Sequence, residues 1–119
     1  ARILASKGNE VVLVGGNVKI STDAIVGTLA VITLDKYHFT KGFFGTNGIS
    51  SKAGYTTPDI NEALVKKAAM QKCSKSFIVC DSSKFNTISA VTFASFREAT
   101  VVTNLCPAEF SKYKNIIVY

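Results

Sequence analysis

Short apolar runs, each closed by glycine or a polar cluster and separated by helix-period segments, constrain this chain more than any other feature. Val11-Val12-Leu13-Val14 stops at Gly15-Gly16, and Phe43-Phe44 stops at Gly45. Phe77-Ile78-Val79-Cys80 stops at Asp81-Ser82-Ser83-Lys84, and Val101-Val102-Thr103 and Ile116-Ile117-Val118 follow. Runs of this length suit strands buried on both faces of a parallel sheet. Between the first two, Ile25, Val26, Leu29, Ala30 and Ile32 read as a helix over 22–34. A second helix is expected from Pro58 to Lys72. Thr57 is its expected N-cap, Pro58 its first residue, and Asp59 lies in the positive first turn. Ile60, Ala63, Leu64 and Ala68 form its apolar stripe, with Lys66, Lys67 and Lys72 late in the helix. The alternation from Ser89 to Phe96 reads as a strand, and Pro107 to Lys112 as a short helix. Strands alternating with helices give a layered α/β domain with a mostly parallel sheet.

The 119 residues make one domain, since there is no internal repeat and the two prolines do not mark a linker. With 47% hydrophobic and 18% charged residues, disorder is excluded. No uncharged apolar stretch approaches the roughly 18 residues that span a bilayer, and no signal-peptide pattern is visible. The three cysteines, Cys73, Cys80 and Cys106, are odd in number and scattered, which argues against a disulfide framework and for a reducing cytoplasm. A single histidine (His38) and the lack of a CxxC pair leave no expected metal site, and no nucleotide fingerprint points to a cofactor. The net charge of +6 suggests an anionic partner. All but Arg2 and Arg97 of the basic residues are lysine, which argues against base-specific DNA reading. The chain opens Ala-Arg-Ile-Leu-Ala without Met, and a piece of a longer protein is expected.

Ligands of open α/β sheets sit at the carboxyl ends of the strands. Three loops there are the candidate site. Gly15-Gly16 with Lys19 is either a tight turn or a close backbone approach to an anion. Gly45-Thr46-Asn47-Gly48 joins two glycines to a hydroxyl and an amide, and is read as part of a long site loop continuing to Thr57 rather than as an Asn-Gly hairpin turn. In Asp81-Ser82-Ser83-Lys84, Lys84 is a point charge suited to a phosphate. Asp81 either orients a sugar hydroxyl, neutralises Lys84, or caps an ordinary strand-end turn. No GxSxG elbow is present, and no catalytic residue is assigned.

The ordered set Phe43-Phe44-Gly45-Thr46-Asn47-Gly48-Ile49, Gly54-Tyr55-Thr56-Thr57-Pro58, Glu62-Ala63, Lys66-Lys67-Ala68 and Asp81-Ser82-Ser83-Lys84-Phe85 resembles the C-terminal sensor domain of DeoR-family bacterial transcriptional regulators. Gly15-Gly16, Lys19, Thr22 and Gly27 fit the same pattern. Repressors of phosphotransferase-system sugar operons, such as those for lactose or fructose, are the most similar group. The resemblance implies a three-layer α/β/α fold like ribose-5-phosphate isomerase and the CoA-transferases. It implies that residues 1–119 are part of an effector-binding domain, with a winged helix-turn-helix upstream that binds operator DNA as a homo-oligomer. It implies a phosphorylated sugar as effector, with Lys84 at its phosphate and Gly45–Gly48 near the sugar. Thr40 and Asn104 stand where family members often carry Asp, and the missing acid at Thr40 favours binding over turnover. A sugar-phosphate isomerase-like enzyme is the alternative.

Overall fold

A computed structural model of the chain describes Ile32 and residues 35–119. The strand expected at 11–14, Gly15, Gly16, Lys19, and all of the helix expected at 22–34 except the helical Ile32 lie outside these residues. The described elements are β1 (Phe39–Phe44), β2 (Gly48–Ser50), β3 (Gly54–Thr57), α1 (Ile60–Gln71), β4 (Cys73–Val79), β5 (Val91–Ala94), β6 (Thr100–Thr103) and β7 (Ile116–Val118). Short 3-10 turns occupy Ser82–Lys84, Phe96–Glu98 and Ala108–Phe110. The last is all that forms of the helix expected at Pro107–Lys112.

Four strands make a parallel sheet in the order β1-β4-β6-β7. The class read from the sequence, α/β with a mostly parallel sheet, is therefore the observed one. A separate antiparallel sheet, β2-β3-β5, was not expected. The stretch from Ile49 to Thr57, read above as a long loop, is the β2–β3 hairpin. Its turn is held by Ser50 Oγ, which accepts from the backbone N–H groups of Lys52 and Ala53. Gly54 follows at φ +79, in the left-handed region. The alternating segment from Ser89 contributes β5 to this sheet rather than to the parallel one.

One face of the parallel sheet carries Phe44, Ile78, Val101 and Ile116 against a core of Ile49, Tyr55, Phe85, Phe93, Phe96 and Phe110. Phe85 and Phe110 meet edge to face at 4.8 Å between ring centres. Tyr55 is completely buried, and its hydroxyl donates to the Phe96 carbonyl at 2.7 Å. Burial pushes that hydroxyl's pKa far above its ordinary value. The other face exposes Phe43, Val79 and Ile117 at 58%, 46% and 49%. Phe43 is thus not the buried strand residue that its apolar neighbours suggest.

The start of α1 also differs from the expectation. Thr57 is the last residue of β3, paired with Val91 and fully buried, so it is not free to cap. Asp59 is the N-cap instead: its side chain accepts from the Asn61 N–H at 3.2 Å. Pro58 ends the strand. The buried stripe is Ala63, Ala69 and Met70, while Ile60 and Leu64 are about half exposed. Lys66, by contrast, reaches across to the Gly45 carbonyl and over the Phe93 ring. Asp59→Ala is expected to cost about 0.5–2 kcal/mol, the usual worth of an N-cap side chain. An unchanged denaturant midpoint would contradict that cap.

Candidate functional site

β1, β4 and β6 are adjacent and parallel, so the loops that follow them gather at one edge of the sheet. The register sets Phe44 beside Ile78 and Val79 beside Val102, which brings Gly45, Cys80 and Thr103 into neighbouring positions. Of the loops proposed from the sequence, Gly45–Gly48 and Asp81–Lys84 follow neighbouring strands, with Gly48 already the first residue of β2. Gly15, Gly16 and Lys19 lie outside the described residues.

The first loop is built from inside. Thr46 is buried, and its hydroxyl is shared between the Gly48 and Thr56 carbonyls at 2.8 and 3.0 Å. The Asn47 N–H donates to the Thr56 carbonyl at 3.0 Å, and Thr57 Oγ1 lies 3.3 Å from Asn47 Oδ1. Lys66 Nζ donates to the Gly45 carbonyl at 2.8 Å and pairs with Glu62 at 2.8 Å. Gly48 is buried under the Thr87 backbone, and a Cβ there would collide with the Thr87 carbonyl oxygen. At Gly45 the same Cβ would meet nothing within 4 Å. Thr46 and Gly48 therefore shape the loop, while Gly45 and Asn47 are exposed, the Asn47 amide oxygen being held by Thr57.

The second loop is tied to the first and to β6. The Asn86 N–H donates to the Ile49 carbonyl at 2.8 Å, and Ile49 bridges Phe85 in parallel. The Ser82 N–H donates to Asn104 Oδ1 at 2.9 Å. Asp81 caps the 3-10 turn, accepting from the Ser83 N–H at 2.8 Å and from the Ser83 hydroxyl. These hydrogen bonds, with a smaller contribution from Lys84, hold its carboxyl below the usual range. Of the roles weighed for Asp81, the cap is the one observed. Lys84, half-buried, forms no ion pair with another described residue.

Cys80 sits between β4 and this turn. Burial, reinforced by Asp81 and opposed by Lys84, pushes its thiol up to about 11. It is therefore protonated at neutral pH and a weak nucleophile. Its alkylation by iodoacetamide is expected to be slow at pH 8 and to accelerate as pH approaches 11. Rapid labelling at pH 8, read by mass spectrometry, would contradict this.

Sequence reasoning missed two residues that build the site. Lys66 looked like a late-helix cation, and Asn104 a substituted acid. Asn104 was legible only as a polar residue directly after an apolar run.

The family model of the DeoR C terminal sensor domain matches residues 1–104 of this chain. The chain belongs to that family. It is 44% identical over 91 residues to the uncharacterized HTH-type transcriptional regulator FruR of Bacillus subtilis, covering 76% of this chain and 36% of FruR. It is 38% identical over 95 residues to the HTH-type transcriptional regulator GlpR of Haloferax volcanii, covering 80% of this chain and 37% of GlpR. Identity to the lactose phosphotransferase system repressor of Streptococcus mutans is 30% over 124 residues, 98% of this chain and 49% of the repressor. This DeoR-type sensor chain thus spans half or less of these relatives' length. Among its described residues no helix is long and apolar enough to cross a membrane, and no group of three metal-ligating side chains occurs.

Proposed function

We propose that this chain is the effector-sensing part of a cytoplasmic transcriptional repressor of a sugar operon, and that it binds a phosphorylated sugar where β1, β4 and β6 end. The observation that carries this reading is Lys84. Its ammonium stands without an ion-pair partner among the described residues, on a turn whose end is held against β2, the strand that follows the Gly45–Asn47 loop, in a domain of the DeoR sensor family. An ammonium without an ion-pair partner suits a phosphate dianion. Gly45 leaves room for a sugar ring, and the Asn47 side-chain NH2, whose oxygen is held by Thr57, can donate to its hydroxyls. Gly15, Gly16 and Lys19, outside the described residues, would contribute to the same anion site. The relatives' names, which include a lactose phosphotransferase system repressor, support a sugar-linked signal.

In the whole regulator an upstream winged helix-turn-helix would bind operator DNA, as a symmetric homo-oligomer on a palindromic site. The effector would act by binding one conformation more tightly than the other, since only differential affinity shifts an equilibrium. Binding without turnover is the better reading of Asp81. Isomerisation needs a general base near the substrate carbon. Asp81 has two Ser83 donors on its carboxylate and a lowered pKa, which makes it a weak one.

The test is titration of the intact protein with paired phosphorylated and free sugars, followed by calorimetry and by operator-binding anisotropy. One phosphorylated sugar is expected to bind and to change operator affinity, and its free sugar to do neither. Equal responses to both, or isomerisation of the phosphorylated sugar, would overturn the reading.

A further inference from the structure

We propose a second anion-binding site, independent of the effector site, at the opposite end of the parallel sheet, with a small phosphate-bearing molecule as its ligand. A cavity of about 680 Å³ opens there, lined by Lys67, Lys75 and Arg97 together with Ser74, Ser76 and Asn115. Its volume lies in the roughly 300–1,000 Å³ range of small-molecule sites. The lining comes from four elements that the fold brings together. Lys67 is on the last turns of α1, Ser74, Lys75 and Ser76 are on the first half of β4, Arg97 is on the turn before β6, and Asn115 precedes β7.

The charges there are unbalanced. None of Lys67, Lys75 and Arg97 forms an ion pair with another described residue. The one acid in the lining, Glu98, has a carboxylate oxygen turned to the Ser95 N–H at 3.2 Å. Lys75 is also the register partner of Lys41 on the neighbouring strand. Like charges side by side on one sheet face destabilise it unless something neutralises them. The carbonyls that end α1 do not oppose an anion freely, because Ala69 O takes the Lys72 N–H and the Cys73 thiol, and Met70 O takes the Lys72 N–H.

Neutral donors complete the site. The β4–β6 ladder begins only at Phe77 and Thr100, so β4 runs past its neighbour from Cys73 to Ser76. The backbone on that side is not taken up by the ladder; Ser74 and Ser76 share the Ile78 face of β4, while Lys75 lies on the opposite face, so the cavity wraps around the end of the strand. Asn115 is structural: its amide donates to the Phe96 and Ala99 carbonyls, each at 3.0 Å, and so fixes the backbone on either side of Arg97 and Glu98. Two guanidinium- or ammonium-to-phosphate contacts on a pre-formed wall are the recognised chemistry of a phosphate site.

The experiment titrates inorganic pyrophosphate into the intact protein, followed by amide NMR shifts and by calorimetry. In the wild type, signals of Ser74, Ser76 and Ala99 are expected to move as one set and those of the Asp81–Lys84 loop as another. The double variant Lys75→Gln, Arg97→Gln is expected to weaken the first set at least tenfold and leave the second unchanged. Lys84→Gln is expected to do the reverse. Both altered side chains of the double variant are exposed, so an unchanged circular dichroism spectrum is expected. Lys75→Ala alone serves as a second variant with the same expected direction. Movement confined to the Asp81–Lys84 loop, or unchanged affinity in the double variant, would overturn the proposal. So would an equal loss on replacing Lys112 and Lys114, which would indicate surface charge alone. Displacement of pyrophosphate by tighter-binding duplex DNA of arbitrary sequence would overturn it in favour of a nucleic-acid surface.

Discussion

Gly48→Ala is expected to lower unfolding free energy by about 3 kcal/mol, the upper range for forcing atoms into a filled site. The added methyl meets the Thr87 carbonyl oxygen first and Thr56 Oγ1 next, at 2.7 Å. The first is backbone and cannot rotate away. Moving it would disturb the neighbouring Ser89 N–H, which donates to the same Thr56 hydroxyl at 2.9 Å, and the Asn86–Ile49 hydrogen bond that joins the two site loops. Gly45→Ala is the matched control. Nothing lies within 4 Å of its added methyl, so its stability is expected to stay within about 0.5 kcal/mol of wild type. Urea or guanidinium midpoints of both variants check the pair. A similar midpoint shift in both would show that the Thr87 backbone does not press on Gly48. Gly45→Ala has a second use: a loss of effector affinity without a loss of stability would place the sugar against that residue.

Lys84→Ala is expected to weaken binding of the phosphorylated sugar by the intact protein about tenfold to a hundredfold. A hydrogen bond to a charged group is worth about 1.5–3 kcal/mol, and each 1.4 kcal/mol is a factor of ten. The side chain is half-buried at the end of a 3-10 turn and makes no ion pair with another described residue, so stability should change little. Binding of the free sugar, already weak, should be unaffected. Calorimetry separates the two. Equal affinity of wild type and variant for the phosphorylated sugar would remove Lys84 from the site. The Asp81 carboxyl adds a pH signature on the stability side. Its folded pKa is held down, so its contribution is present above the unfolded carboxyl pKa and is lost as pH falls through the folded value.

The parallel sheet was legible in the sequence because three of its four strands carry their own evidence. Phe77 to Cys80, Val101 to Thr103 and Ile116 to Val118 are apolar runs whose composition suits a pleated, buried surface wherever their neighbours lie. With the strands read, the carboxyl-end rule points to the Gly45 and Asp81 loops. The β2–β3 hairpin was not legible. Gly48–Ser50 is three residues long, shorter than a periodicity can register, and its turn has neither Asn-Gly nor Asp-Gly. Thr57 has the chemistry of a helix cap, and nothing local says that Val91, far along the chain, draws it into a strand. Lys66 and Asn104 act on partners 21 and 22 residues away. Local pattern therefore determined which segments become strands of the parallel sheet and where their loops emerge. Only the tertiary structure decided which side chains hold those loops, because a hydrogen bond between distant residues depends on where both backbones finish and leaves no spacing in the sequence to read.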